Sequence, residues 1–235
     1  MIAANHQNED IVGGLFGFTL FGAVVYLVVD RFIQKRKVKK LNELSLRAEL
    51  ASLKTQINPH FFFNTLNNLY GLTVEKSDLA PEMILKLSDM MRYTIYEGEK
   101  PLVPIKDEIT YLENYIELQK IRFHREIDIK FNYILEHKGC EVPPLLFIIF
   151  LENAFKHGAE TLTENAYIHM KLTATREQVY FEILNNFEQD EEKEKGIGLK
   201  NLRRRLQLLY PNEHSVFSGE TESGVYKATL KISLP

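Results

Sequence analysis

The stretch PPLLFIIFLENAFKHG, residues 143–158, decides how this chain is read. Pro143 and Pro144 open it, an unbroken apolar run follows from Leu145 to Leu151, and a polar cluster of Glu152, Asn153, Lys156 and His157 precedes Gly158. Prolines at the first turn and a glycine at the end predict an apolar helix from the proline pair to about His157. On an α-helix Asn153 stands three residues before Lys156 and four before His157, so the three share a face. An amide, an ammonium and an imidazole beside a carboxylate suit a magnesium–phosphate group, because Mg²⁺ takes oxygen ligands and binds through a few protein groups plus phosphates and water. Glu152 can act as a base or orient a water. A polar end on an apolar helix accounts for the same residues without a ligand, and both readings stand here.

Working outward, residues 105–122 predict an amphipathic helix and 125–135 (REIDIKFNYIL) alternate as a strand does. Beyond the quoted helix come strand-like segments at 166–174 and 178–184 and a charged loop at 186–195. Gly196-Ile197-Gly198 then opens a helix to about Tyr210, and strands at 214–219 and 224–233 close the chain. This mixture predicts a two-layer α/β domain over 101–235. Glycines at a helix entrance let backbone N–H groups approach phosphate, with the helix dipole aiding. The run Arg203-Arg204-Arg205 reads equally as a solvated helix face.

Before residue 101 the pattern is helical. Leu46, Leu50, Leu53 and Ile57 recur at spacings of four, three and four, an apolar stripe suited to a dimeric coiled coil. It continues through Leu66 and Leu69 to about Thr73, a turn holds Ser77 and Asp78, and a second helix covers 81–97, opened by Pro81 and closed near Gly98. Two helices and a short turn make a hairpin, and two hairpins make a four-helix bundle. Within the first helix lies Gln56-Ile57-Asn58-Pro59-His60-Phe61-Phe62-Phe63-Asn64. A proline kink before His60 exposes an imidazole that is mostly neutral, hence nucleophilic, at neutral pH. A structural histidine beside a kink is the plainer reading of those residues alone.

Residues 11–29 (IVGGLFGFTLFGAVVYLVV) carry no charge, and nineteen residues at about 1.5 Å each nearly match a bilayer's hydrocarbon thickness. Glu9 and Asp10 precede this run and six Lys or Arg follow it in 31–40, which predicts a single transmembrane helix over 11–30, residues 1–10 outside and the rest in the cytoplasm. Gly13 and Gly17 form a G-x-x-x-G pair able to bring two such helices together. Residues 41–235 keep 23 of the basic and 29 of the acidic residues, a balance near −6 that argues against direct nucleic-acid binding. One cysteine, Cys140, excludes an intramolecular disulfide framework.

In order and spacing the three segments resemble the LytS-type sensor histidine kinases. N-P-H-F-x-F-N is similar to that family's phosphoacceptor motif, P-P-L-L…L-E-N-A-x-K-H-G to its nucleotide-binding N box, and G-I-G-L-x-N-x-x-x-R-L-x-x-x-Y to its glycine box. The resemblance, covering about 40–235, implies an α+β protein. Its parts are a coiled-coil and phosphoacceptor hairpin over 31–100 that forms a four-helix bundle in a homodimer, and a Bergerat-type ATP-binding α/β sandwich over 101–235. It implies ATP and Mg²⁺ as cofactors, His60 as phosphoacceptor, and a response regulator, of LytTR type, as partner at the inner cell membrane. It places Asn153 against metal and phosphates, Lys156 and His157 near phosphate or ribose, Gly196, Gly198, Leu199 and Asn201 around the nucleotide, and 186–195 as a lid. Two departures stand out. Phe61 follows the acceptor where many histidine kinases have an acid, which leaves Glu152 as the candidate base. Asn185-Asn186-Phe187 replaces the D-x-G-x-G whose Asp binds the adenine amine, and either asparagine can offer a carbonyl there. That second departure favours an alternative reading, a catalytically weak scaffold subunit that dimerises with another membrane sensor.

Overall fold

A computed structural model describes residues 30–41, 44–45, 59–123, 125–137, 139–188, 197–222 and 224–234. They divide into two compact units with the boundary between Glu49 and Leu50. In the first, residues 30–41 form a helix, α1, carrying the basic run. The apolar segment 11–29 and the coiled-coil stripe Leu46–Ile57 lie outside the described residues. Among the described residues no helix is long and apolar enough to cross a membrane.

The second unit begins with a hairpin of α2 (Pro59–Val74) and α3 (Leu79–Arg92). Helix α2 stops because Lys76 takes a left-handed φ of 55°. Lys76 N–H then donates to the Thr73 carbonyl and Ser77 N–H to that of Leu72, a Schellman arrangement that satisfies the helix's last carbonyls. Helix α3 buries Ala80, Met83, Leu87 and Met90, one stripe at helical spacing. It runs into a π-helical turn, Tyr93–Glu97, that ends at Gly98. A Cβ at Gly98 would stand 2.2 Å from the Thr94 carbonyl oxygen, so the wider turn requires glycine there.

After Gly98 the chain forms β1 (Val103–Pro104), α4 (Ile105–Arg122), β2 (Asp128–Leu135), β3 (Glu141–Val142), α5 (Ile148–Ala154), β4 (Tyr167–Ala174), β5 (Gln178–Asn185), α6 (Ile197–Leu209), β6 (His214–Glu220) and β7 (Tyr226–Ser233). Strands β1 and β3 make a two-residue antiparallel ribbon that the alternation of the sequence does not announce. The other strands form one sheet in the order β2-β4-β5-β7-β6. Only β2 and β4 are parallel, and α5 lies between them in sequence as a crossover must.

One face of the sheet is apolar by alternation: Ile168, Met170, Leu172 and Ala174 on β4, Val179, Phe181 and Ile183 on β5, Ala228, Leu230 and Ile232 on β7. Registry sets these side by side, with Leu172 opposite Phe181 and Phe181 opposite Leu230. Phe147 and Phe150 from the start of α5 bring their rings 5.0 and 5.7 Å from Phe181. The expected two-layer domain is therefore present as a mixed α+β arrangement. One boundary needs correction, since α5 begins at Ile148 rather than at the prolines. Pro144 holds Pro143 extended, and Leu145 adopts a left-handed φ of 57°, so no helix can start before them.

Candidate functional site

His60 lies exposed on the first turn of α2. Its neighbour Phe61 is 5% exposed and packs 4.5 Å from the Tyr115 ring on α4. The N-P-H-F pattern thus divides its labour, Phe61 fixing the helix while His60 faces outward. Asn64, one turn on, brings its amide nitrogen within 3.3 Å of both ring nitrogens of His60. The amide either donates to the unprotonated ring nitrogen or, turned over, accepts from the protonated one. Either contact limits rotation of the ring, and the spacing of four residues was the available signal for it.

The N box starts on a strained turn. A left-handed leucine costs on the order of 1–3 kcal/mol and persists only where its surroundings hold it. The support comes from Glu108 on α4. Its carboxylate accepts from Leu145 N–H at 2.6 Å, Leu146 N–H at 2.8 Å and Phe147 N–H at 3.4 Å, and from the Tyr93 hydroxyl at 2.7 Å. Burial pushes this carboxyl up, while the hydrogen bonds from Tyr93 and from the three N–H groups hold it down; the net direction is up. Glu108 escaped the sequence reading. The signal for it was a charge inside the apolar stripe Ile105–Ile109–Leu112, three residues from Ile105.

At its other end α5 widens into a π-helical turn, Phe155–Ala159. The shared face inferred for Asn153, Lys156 and His157 assumed α-helical spacing, which holds only to Ala154; Lys156 is exposed, and Asn153 and His157 are half-buried. Phe155 within this turn packs 5.7 Å from Tyr115, the ring that also holds Phe61. Glu152 lies close enough to α4 for its charge to help raise the Tyr111 and Tyr115 hydroxyls, burial being the larger cause for both.

Three of the sequence segments meet around α5. A Cβ on Gly158 would stand 2.5 Å from Asn185 Nδ2 and 2.7 Å from the Asn186 carbonyl, so the N box abuts the end of β5 at a position only glycine fits. A Cβ on Gly198 would meet Ile149, at 3.4 Å, which places the start of α6 against α5. Leu199 packs on the core and Asn201 is half-buried, while Gly196 and most of the lid, 189–195, lie outside the described residues.

The two asparagines separate clearly. Asn186 accepts from Tyr167 N–H at 2.9 Å and donates to the Asn165 carbonyl at 2.7 Å, which engages both ends of its amide. Asn185 is 1% exposed and donates to the Asn186 carbonyl, but its Oδ1 is buried without a partner. An orphaned acceptor of that kind is costly unless a ligand or water meets it. Of the arginine run, Arg203 and Arg204 are exposed and Arg205 is buried. Burial lowers the Arg205 guanidinium and the charge of Glu108 opposes that shift. Among the described residues no group of three His, Cys, Asp or Glu side chains gathers to hold a metal.

A histidine kinase family model matches residues 48–127, the hairpin and α4. The sensor protein LytS of Enterococcus faecalis is 26% identical over 243 residues, covering 97% of this chain and 40% of that protein. The sensor histidine kinase YpdA of Escherichia coli K12 is 27% identical over 194 residues, covering 78% and 34%. The sensor histidine kinase/phosphatase LytS of Staphylococcus aureus MRSA252 is 27% identical over 207 residues, covering 82% and 35%. This chain is a relative of the LytS-type sensor histidine kinases. It spans about two fifths or less of the length of these LytS-type relatives. Among solved structures, the histidine kinase domain of the Erythrobacter litoralis EL346 blue-light kinase is 13% identical with a TM-score of 0.43, covering 80% of this chain and 95% of that one.

Proposed function

We propose that this chain is a sensor histidine kinase that phosphorylates His60 from Mg-ATP and passes the phosphoryl group to an aspartate of a response regulator, of LytTR type. The observation that carries the reading is the continuity from Phe61 through Tyr115 to Phe155, which joins the residue beside the acceptor to the N box within one compact unit. The residues present fit a nucleotide: Asn185 Oδ1 is a buried acceptor in need of a donor such as an adenine amine, and Gly158 leaves bare backbone beside it. Bound Mg-ATP supplies the phosphoryl group and the metal charge that offsets its oxygens. Asn153 is the residue we assign to the metal and phosphates, with Lys156 and His157 beside it and Gly196, Gly198, Leu199 and Asn201 on the opposite side. A ring nitrogen of His60 forms the P–N bond as the β–γ P–O bond breaks to release ADP, and the imidazole proton leaves to a base, for which Glu152 is our candidate. Asn64 holds the imidazole during this step.

The same reading places residues 11–30 across the inner cell membrane, 1–10 outside, and the coiled coil, hairpin and ATP-binding domain in the cytoplasm as a homodimer. Four residues of α2, Phe63, Leu66, Tyr70 and Val74, are exposed at spacings of three, four and four, an apolar stripe that a second hairpin would cover.

The test is labelling of the full chain with γ-³²P ATP and Mg²⁺. Acid-labile, alkali-stable label absent from His60→Gln is expected; full label in that variant rejects His60. Asn185, in place of the acid usual at the adenine, favours a second reading, a weak scaffold subunit paired with another sensor. A wild-type chain that dimerises but takes no label would establish that alternative.

A further inference from the structure

Helix α4 touches both functional segments at once, and does so at two levels. Near its middle, Tyr115 stands between Phe61 and Phe155. At its first turn, Glu108 reaches in two directions. One direction is the strained turn at the head of the N box, where it receives three backbone N–H groups. The other is Tyr93, in the π-helical turn that ends the hairpin. Tyr93 is also fixed by its ring, 5.0 Å from that of Tyr111, and Thr94 shares a hydrogen bond with the Tyr111 hydroxyl at 3.2 Å.

We propose that Glu108 is a positioning residue for nucleotide binding and His60 phosphorylation, holding the head of the N-box helix and, through Tyr93, tying that helix to the end of the phosphoacceptor hairpin. The proposal rests on the kinase reading for its second half. The first half concerns only nucleotide binding.

Three observations support it. A carboxylate 1% exposed is costly to bury and is kept where nothing else supplies its hydrogen bonds; here four donors converge on it. The N–H groups of Leu145, Leu146 and Phe147 precede the first turn of α5 and have no other partner of helical kind, since Phe147 is the cap residue and makes no side-chain cap of its own. Leu145 keeps its left-handed backbone without a glycine, and two of its constraints, its own N–H and that of Leu146, end on Glu108. If the head of α5 moves, Glu152 and Asn153 move with it, because seven residues of helix are too few to absorb the change. The interior around Glu108 extends to the glycine-box helix as well, since Arg205 of α6 feels the same carboxylate.

Two single substitutions separate the two arms. Glu108→Gln keeps size but turns one acceptor into a donor facing N–H groups, so it disturbs the N-box arm. Tyr93→Phe removes one hydroxyl and breaks only the hairpin arm, leaving Glu108 on the three backbone groups. In the full chain, Mg-ATP affinity is read by calorimetry and label transfer to His60 by single-turnover kinetics. For Glu108→Gln the expected result is an ATP dissociation constant raised about tenfold, the scale of a lost hydrogen bond to a charged group. For Tyr93→Phe it is an unchanged dissociation constant with His60 labelling slowed about tenfold, as misplacement of reacting groups produces. A residue that merely kept the fold intact would not divide binding from rate in this way. Wild-type affinity in Glu108→Gln overturns the proposal, and so does wild-type labelling in Tyr93→Phe. Should Glu108→Gln fail to fold, Tyr93→Phe still decides the coupling. If the wild-type chain itself takes no label, the kinase reading fails and the coupling to His60 with it, while the affinity of Glu108→Gln decides the N-box arm on its own.

Discussion

The hairpin and the sheet bury their apolar residues differently. In the sheet, Phe181, Leu230 and Ile232 are completely buried, each covered by helices from the same chain. In the hairpin, α3 turns Met83, Leu87 and Met90 inward, yet Tyr70, Leu85 and Tyr96 remain 72%, 67% and 67% exposed. The sheet is finished within one chain; the hairpin is finished on only one side. A unit of the first kind keeps its stability when diluted, and a unit of the second kind depends on what is beside it.

That contrast can be broken most sharply at Phe181. Phe181→Ala is expected to lower the unfolding free energy of the C-terminal domain by about 3–5 kcal/mol, by removing a buried aromatic ring. Urea denaturation measures it, and a loss below about 1 kcal/mol would mean the sheet core is not closed as described. Tyr70→Glu addresses the other side. It is expected to leave the fold intact while weakening self-association by about 2–4 kcal/mol, the cost of losing a central aromatic anchor. Sedimentation over a dilution series checks this, and unaltered association would remove the outer stripe of α2 from the dimer contact.

Gly158→Ala probes the seam where the N box meets β5. Its new Cβ would press on the Asn186 carbonyl, and the expected cost is about 1–3 kcal/mol in nucleotide affinity or stability. Calorimetry and thermal melting apportion it. The smallest effect belongs to the surface of the sheet. Lys227 holds the Glu182 carboxyl below its ordinary range, so the pair stabilises the fold above the unfolded glutamate value of 4.5 and that contribution is lost as pH falls through the lower folded value. The pair is partly exposed, so the expected size is about 0.5 kcal/mol. It is measured as a difference between wild type and Glu182→Gln that is present at pH 7 and absent in acid.

The fold was legible where residues repeat a period. Helix α4 was read to the residue, and four of the five strands of the main sheet within two residues of their ends, because alternation and helical spacing survive in one chain without help. What escaped depends on contacts between distant segments. The ribbon of Val103–Pro104 with Glu141–Val142 is too short to show a period. The late start of α5 follows from a left-handed Leu145 that no local propensity favours. Glu108 looked like an error in an apolar stripe until the backbone of residues 145–147 was beside it. At the site, the motifs named His60, Asn153 and Gly158, but they could not choose between Asn185 and Asn186. That choice needs the strand partner of Asn186, which lies nineteen residues away.

The π-helical turn at Phe155–Ala159 makes chain length itself part of the site. Such a turn holds one residue more than the helix it interrupts, and removing any one of the five would restore α-helical winding. Everything downstream would then rotate by about 100° about the helix axis. Gly158 would leave the mouth of β5, and a bulkier residue would arrive against Asn185. Substitutions in this segment change one side chain at a time. A single-codon deletion would change the phase of them all.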